Sequence, residues 1–173
     1  KADYKGTYSY CYCTKSSHFS FVLDEALKNN VHLETSSAFD IPIIKNLYQN
    51  QKINKDTFII CNGYKRPTYT QYIAELINDG FKNVIPVLDN KNEILAYEKS
   101  VKGKCKLGIR IAAEEEPNYE FYTSRLGIRY KDILDFYIQK IKPNAKFELK
   151  MLHFFVNKGI RDTSYYWTEL TKC

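Results

Sequence analysis

Short β-prone apolar runs alternate with amphipathic helical stretches along the whole of this chain. That alternation, more than any single motif, limits what the chain can become. The pattern predicts strands over 8–14, 31–34, 57–61, 83–88, 106–111 and 148–154. It predicts helices over 38–50, 68–79, 90–99 and 131–142, a first helix after His18, and a last one opening near Asp162. In the third helix Tyr69, Tyr72, Ile73, Leu76 and Ile77 fall at i, i+3, i+4, i+7 and i+8, a single buried stripe, and Gly80 is placed to stop it. Phe19, Val22, Leu23, Ala26 and Leu27 make the same stripe in the first helix, with Ser16 and Ser17 as its expected N-caps. Strand-then-helix order, repeated, builds a parallel sheet with right-handed crossovers.

The unit recurs about every 25 residues, close to one eighth of a (β/α)8 barrel of about 250 residues. About six units are present. Six strands of a barrel leave two sheet edges unpaired, which is costly. The alternation therefore allows an open doubly wound sheet or the larger part of a TIM-type barrel. A start at Lys1 rather than methionine, and a stop at Cys173 inside a helical pattern, favour part of a longer barrel. No linker or composition break divides 1–173, which reads as one domain.

The 173 residues suffice for one core, and 44% hydrophobic with 27% charged residues fits a globular protein. No run approaches the about 20 apolar residues that span a bilayer, and no signal-peptide pattern opens the chain, so no membrane partner is expected. The net charge of +6 is spread among glutamates and aspartates without a basic stripe or aromatic platform, so nucleic acid is not an expected partner either. Of the five cysteines, Cys11 and Cys13 share one strand face, a poor disulfide geometry. No spacing among Cys61, Cys105, Cys173 and His18, His32 or His153 makes a zinc site. Free thiols in a cytoplasmic protein are expected.

Parallel α/β folds gather their chemistry at the carboxyl ends of the strands. The first strand runs into Lys15 and the second into Glu34, Thr35, Ser36 and Ser37. The third ends in Cys61, Asn62, Gly63, Tyr64 and Lys65, and the fourth in Asp89 and Asn90. The fifth carries Arg110, with Glu114, Glu115 and Glu116 beyond it; the sixth carries His153, Phe154, Phe155, Asn157 and Lys158. A desolvated lysine amine loses its proton and attacks carbonyls, so Lys15 is either such a nucleophile or a solvated loop lysine. Glu34 either works in a site or sits near a helix dipole. Arg110, between Ile109 and Ile111, needs a partner whether its role is structural or functional. His153 is either a core histidine or part of the same rim.

These segments, taken in order, resemble a known family. Tyr12-Cys13-Thr14-Lys15-Ser16-Ser17 resembles the first-strand lysine motif of the fold-type III pyridoxal-phosphate decarboxylases, which share the alanine racemase-like barrel. Val31-His32-Leu33-Glu34-Thr35-Ser36-Ser37 resembles their second-strand segment, and Leu107-Gly108-Ile109-Arg110-Ile111 their fifth-strand arginine segment. Ile59-Ile60-Cys61-Asn62-Gly63-Tyr64-Lys65 resembles the third strand of the biosynthetic arginine decarboxylases in particular. Ser124-Arg125-Leu126-Gly127-Ile128 resembles the basic-Phe-Gly-Leu motif, and Leu152-His153-Phe154-Phe155 the Leu-His-Phe-His segment.

The resemblance implies a (β/α)8 barrel with about six of its eight units in this chain. It implies pyridoxal 5'-phosphate as cofactor and a basic amino acid as substrate, with arginine first, giving agmatine and CO2 for polyamine synthesis. Diaminopimelate or ornithine decarboxylation is the alternative, as is a cofactor-binding or regulatory relative that does not decarboxylate. Lys15 would hold the cofactor aldehyde as a Schiff base and later shuttle protons, with Glu34 a polar neighbour of the ring. Arg110 would approach the phenolic oxygen, and His153, Phe155 and Lys158 would also bind cofactor. Phe155 stands where relatives stack a histidine; an aromatic face still stacks but cannot hydrogen-bond. Val156-Asn157-Lys158-Gly159 departs from the usual Ile-Gly-Ser-Gln, and Lys158 would supply a point charge for the phosphate. The family's phosphate loop, its pyridine-facing acid and its second domain have no counterpart in 1–173. A piece of this length is thus expected to turn over little substrate, and the full-length protein to form a homodimer or larger homo-oligomer.

Overall fold

Six strands hydrogen-bond to one another in the order in which the chain makes them. The computed structural model describes residues 5–112 and 126–154, with the single positions 164, 167 and 171. The elements run β1 (Cys11–Cys13), α1 (Ser20–Leu27), β2 (His32–Thr35), α2 (Asp40–Gln49), β3 (Ile59–Cys61), α3 (Pro67–Asn78) and β4 (Val84–Leu88), followed by α4 (Ile94–Ser100), β5 (Cys105–Arg110), α5 (Tyr130–Phe136) and β6 (Phe147–His153). Every neighbouring pair is parallel, in the order β1-β2-β3-β4-β5-β6. A doubly wound sheet must reverse its strand order at a switch point. This sheet never does, so of the two architectures the alternation allows, the singly wound arc of a barrel is the one formed.

The two faces of the sheet confirm the winding. Leu33, Ile59, Cys61, Val84, Leu88, Cys105, Leu107 and Ile109 pack with Leu23, Ile44, Ile73, Tyr97 and Phe136 from the five helices. The opposite face has its own small cluster, Ile60, Ile85 and Val87, with Cys11, Phe58 and Met151 against it. Strand side chains alternate faces. One set therefore meets the helices and the other fills the inside of the arc, as in barrel interiors. Gly108 lies on the inner face, where a Cβ would come 3.1 Å from Val87 Cγ2 and 3.4 Å from Met151 Cβ. Its lack of a side chain lets those two residues meet across β5.

Several boundaries differ from the pattern-based expectation. Ser16 and Ser17 do not cap α1: Ser16 N donates to Cys13 O at 3.0 Å in a turn, and the helix begins four residues later at Ser20 with no side-chain cap. Phe19 and Phe21 stack on each other, exposed, instead of joining the core. The helix expected over 90–99 starts as a 3-10 turn at Lys91–Glu93, capped by Asn90, before α4. The one expected over 131–142 ends in a wider π turn over Tyr137–Ile141. Gly80 does end α3, with φ +88° and its N–H on Ile77 O. The helix near Asp162 lies outside the described residues, apart from single positions.

Candidate functional site at the strand ends

One irregularity aims the sixth strand. Leu107 pairs with Leu149 but Gly108 pairs with Met151, which leaves Lys150 as a β-bulge. Leu149 packs toward the helices, so without the bulge Met151 and His153 would too. The extra residue turns both inward, where Met151 joins the inner cluster and His153 stands opposite Arg110.

His153 Nε2 lies 3.1 Å from Asn62 Nδ2, and the same Asn62 nitrogen donates to Glu34 Oε1 at 3.2 Å. A carboxylate only accepts, so Glu34 fixes the amide with its NH2 toward both partners. His153 then accepts at Nε2 and carries its proton on Nδ1. Burial, followed by the Arg110 and Lys65 charges, depresses the His153 pKa from 6.5 to about 4, so the imidazole is neutral at pH 7. In a flat sheet β3 and β6 would stand three strand spacings apart, about 14 Å. Contact between Asn62 and His153 requires the sheet to curl, which brings Glu34, Asn62 and His153 together across the interior.

A second group adjoins the first. Arg110 Nη1 lies 3.7 Å from Asp89 Oδ1, and Lys65 Nζ lies 4.0 Å from Asp89 Oδ2 and 3.4 Å from Glu93 Oε2. Lys65 also donates to Gly63 O at 2.8 Å and to Val87 O. Gly63 makes the turn after β3 with φ +80°, and a Cβ there would meet Ser36 O at 2.9 Å. Burial pushes the Glu93 carboxyl above its usual range, opposed by Lys65. Asn62 Oδ1, His153 Nδ1 and both Asp89 carboxylate oxygens are buried without a hydrogen-bond partner among the described residues.

Lys15 follows directly on β1. Thr14 ties that strand end to β2, its N–H and hydroxyl both donating to Glu34 O at 3.0 and 3.1 Å. Tyr12 OH donates to Ser17 O at 3.1 Å and fixes the turn beyond. The Lys15 side chain is exposed and has no hydrogen bond or ion pair among the described residues.

The structure thus brings together Glu34, Arg110 and His153. It sets Lys15 on the same rim without a contact to them. Phe155, Lys158 and Glu114 to Glu116 lie outside the described residues. Asn62, Lys65, Asp89 and Glu93 were not assigned to the site from sequence. The first three were visible as strand-end residues, but no pattern indicated that they link Glu34 to His153 and Arg110 to the interior. Cys11, Cys13, Cys61 and Cys105 are free thiols, and burial raises the Cys61 and Cys105 pKa values to about 11 and about 12. No helix among the described residues is long and apolar enough to cross a membrane, and no group of His, Cys, Asp or Glu among them could hold a metal ion.

The singly wound parallel arc of the described residues is a fold that solved amino acid decarboxylases share. A double mutant of Selenomonas ruminantium lysine decarboxylase in complex with PLP superposes with a TM-score of 0.73 at 18% identity, covering 95% of this chain and 40% of that one. The biosynthetic arginine decarboxylase of Campylobacter jejuni gives 0.65 at 19% identity over 98% of this chain and 29% of its own. In sequence, the chain is similar to the biosynthetic arginine decarboxylase of Prochlorococcus marinus subsp. pastoris, 27% identical over 174 residues and 94% of this chain. The chain spans about a quarter of the length of the curated relatives it matches, 26% in that case. No family model matches it.

Proposed function

We propose that residues 1–173 form part, about six of eight units, of the cofactor-binding barrel domain of a pyridoxal-phosphate-dependent decarboxylase acting on a basic amino acid, with L-arginine as substrate, agmatine and CO2 as products, and polyamine synthesis as the role. The observation that carries this reading is the hydrogen-bonded Glu34–Asn62–His153 chain beside Arg110 at the mouth of the arc, on the rim that Lys15 shares. Similarity to biosynthetic arginine decarboxylases supports the choice of arginine. Diaminopimelate and ornithine are the alternatives. The full-length protein is proposed to be a cytoplasmic homodimer or larger homo-oligomer.

The described residues fit the cofactor. The Nδ1–H of His153 and the Asn62 Oδ1, both buried and without a partner among the described residues, suit a ring carrying polar substituents. The cofactor, when bound, supplies the electron sink that lets a carboxylate leave as CO2. This chain's own residues do the rest. Lys15 would be the point of covalent attachment and would move a proton at Nζ. Arg110 offers its guanidinium to the phenolic oxygen. His153 stays neutral and donates from Nδ1, while Glu34 accepts from Asn62 and holds that donor in place. Phe155 supplies an aromatic face to the ring, and Lys158 a charge for the phosphate.

The test is to add pyridoxal phosphate to the full-length protein, reduce with borohydride, and map the modified peptide. Label on Lys15 that is lost in Lys15→Ala, with CO2 released from labelled arginine, is the expected result. Label on another lysine would end the reading. Phe155 in the histidine position favours one second reading, a cofactor-binding relative without activity. Labelled Lys15 with no CO2 from arginine, diaminopimelate, ornithine or lysine would select it.

A further inference from the structure

The Arg110 guanidinium sits at the end of a line of charges that leads into the interior. Lys65 and Asp89 have side chains 0% and 1% exposed, while Arg110 is 16% exposed at the rim. Lys65 already has what a buried ammonium needs without Asp89: two carbonyl oxygens and the Glu93 carboxylate at 3.4 Å. Asp89, in contrast, accepts no hydrogen bond at either carboxylate oxygen among the described residues. A buried carboxylate in that state is destabilising, and proteins rarely keep one without a use. Its oxygens face two cations, Lys65 behind and Arg110 in front. Its backbone is pinned on both sides: Asp89 N donates to Glu93 Oε2 at 3.2 Å, and Asp89 O accepts from Gly127 N at 2.8 Å. Gly127 has φ +105°, and a Cβ there would meet Ala112 N at 2.6 Å, so the loop can approach this closely only as glycine.

We propose that Asp89 is a positioning residue that fixes the Arg110 guanidinium at the end of β5, with Lys65 anchoring Asp89 from the buried side. For its ligand this rests on the function proposed above: the held guanidinium grips the anionic ring oxygen of the cofactor. The restraint on Arg110 itself is independent of that reading.

Two readouts in the full-length protein test it. In the cofactor-free protein, phenylglyoxal labels arginines, and peptide masses report the rate at Arg110. Asp89→Asn is expected to speed Arg110 labelling about tenfold, with Asp89→Glu restoring part of the protection. In the second readout, Asp89→Asn weakens pyridoxal phosphate binding about tenfold, yet adds less than about twofold in an Arg110→Gln background. A folded Asp89→Asn protein with unchanged Arg110 reactivity would overturn the inference, as would equal losses of binding in both backgrounds. Should Asp89→Asn fail to fold, the wild type still decides: Arg110 reacting as fast as an arginine in an unfolded peptide overturns it. Retained Lys15 labelling with unmoved Arg110 reactivity defeats this inference and spares the proposed function. Unlabelled Lys15 with accelerated Arg110 labelling does the reverse.

Discussion

His153 stays neutral because it is buried and faces two cations. Its folded pKa of about 4 lies below the ordinary 6.5. Between those values the unfolded chain binds a proton there and the folded one does not, so stability falls as pH falls through that window and levels off below it. The loss is on the order of 3 kcal/mol. Denaturant midpoints of the wild type measured from pH 7 to pH 4 should show this slope, and His153→Gln should flatten it. An equal slope in both proteins would place the titration elsewhere. The sequence placed His153 at a strand end but left open whether it was a core residue. What decides the matter is Asn62, a neutral side chain on a distant strand. No local pattern indicates that an asparagine will meet a histidine 91 positions away.

At the level of elements, local chemistry moves the starts of α1, α2 and α4, while α3 and α5 begin within one residue of the pattern. α2 opens where Asp40 Oδ2 accepts from Ser36 N at 2.8 Å, Ser37 N at 2.9 Å and Ser37 Oγ at 3.1 Å. The carboxylate ties down the Ser36–Ser37 turn that leads into the helix and sits at the helix's positive end. Glu34, weighed from sequence for that dipole role, is bonded to Asn62 instead. Asp40→Ala should cost about 1–3 kcal/mol in chemical denaturation, while Asp40→Asn, which keeps an acceptor, should cost less. Equal losses would show that the acceptor is not what matters. The β-then-α order and the α3 stripe were legible because apolar period alone sets them. The late start of α1 was not, because a turn at Cys13–Ser16 takes the serines that would have capped it. Nor was the Lys150 bulge, which depends on how β6 registers on β5.

At the scale of the whole molecule, apolar and polar side chains on the inner face separate along the strand direction among the described residues. The middle of the inner face is apolar, with Ile60, Ile85 and Val87 buried to 4%, 2% and 0% exposure. Beyond it toward the carboxyl ends come Glu34, Asn62, Asp89, Arg110 and His153. Barrels assign stability to the interior layers and chemistry to the carboxyl-end rim. Ile85→Ala leaves a hole among Val87, Met151 and Ile60 and is expected to lower unfolding stability by about 2–4 kcal/mol. Borohydride labelling of Lys15 at saturating cofactor should survive it, because no rim group moves. Arg110→Gln should weaken cofactor capture about tenfold. It also removes a side chain only 16% exposed that faces the buried Asp89, at a stability cost of about 1–3 kcal/mol. Circular dichroism melts and cofactor titrations of the two variants give four numbers. If Ile85→Ala instead weakens capture as much as Arg110→Gln does, the rim is not held independently of the layer beneath it. The curl that brings β3 to β6 would then set cofactor affinity as well as stability.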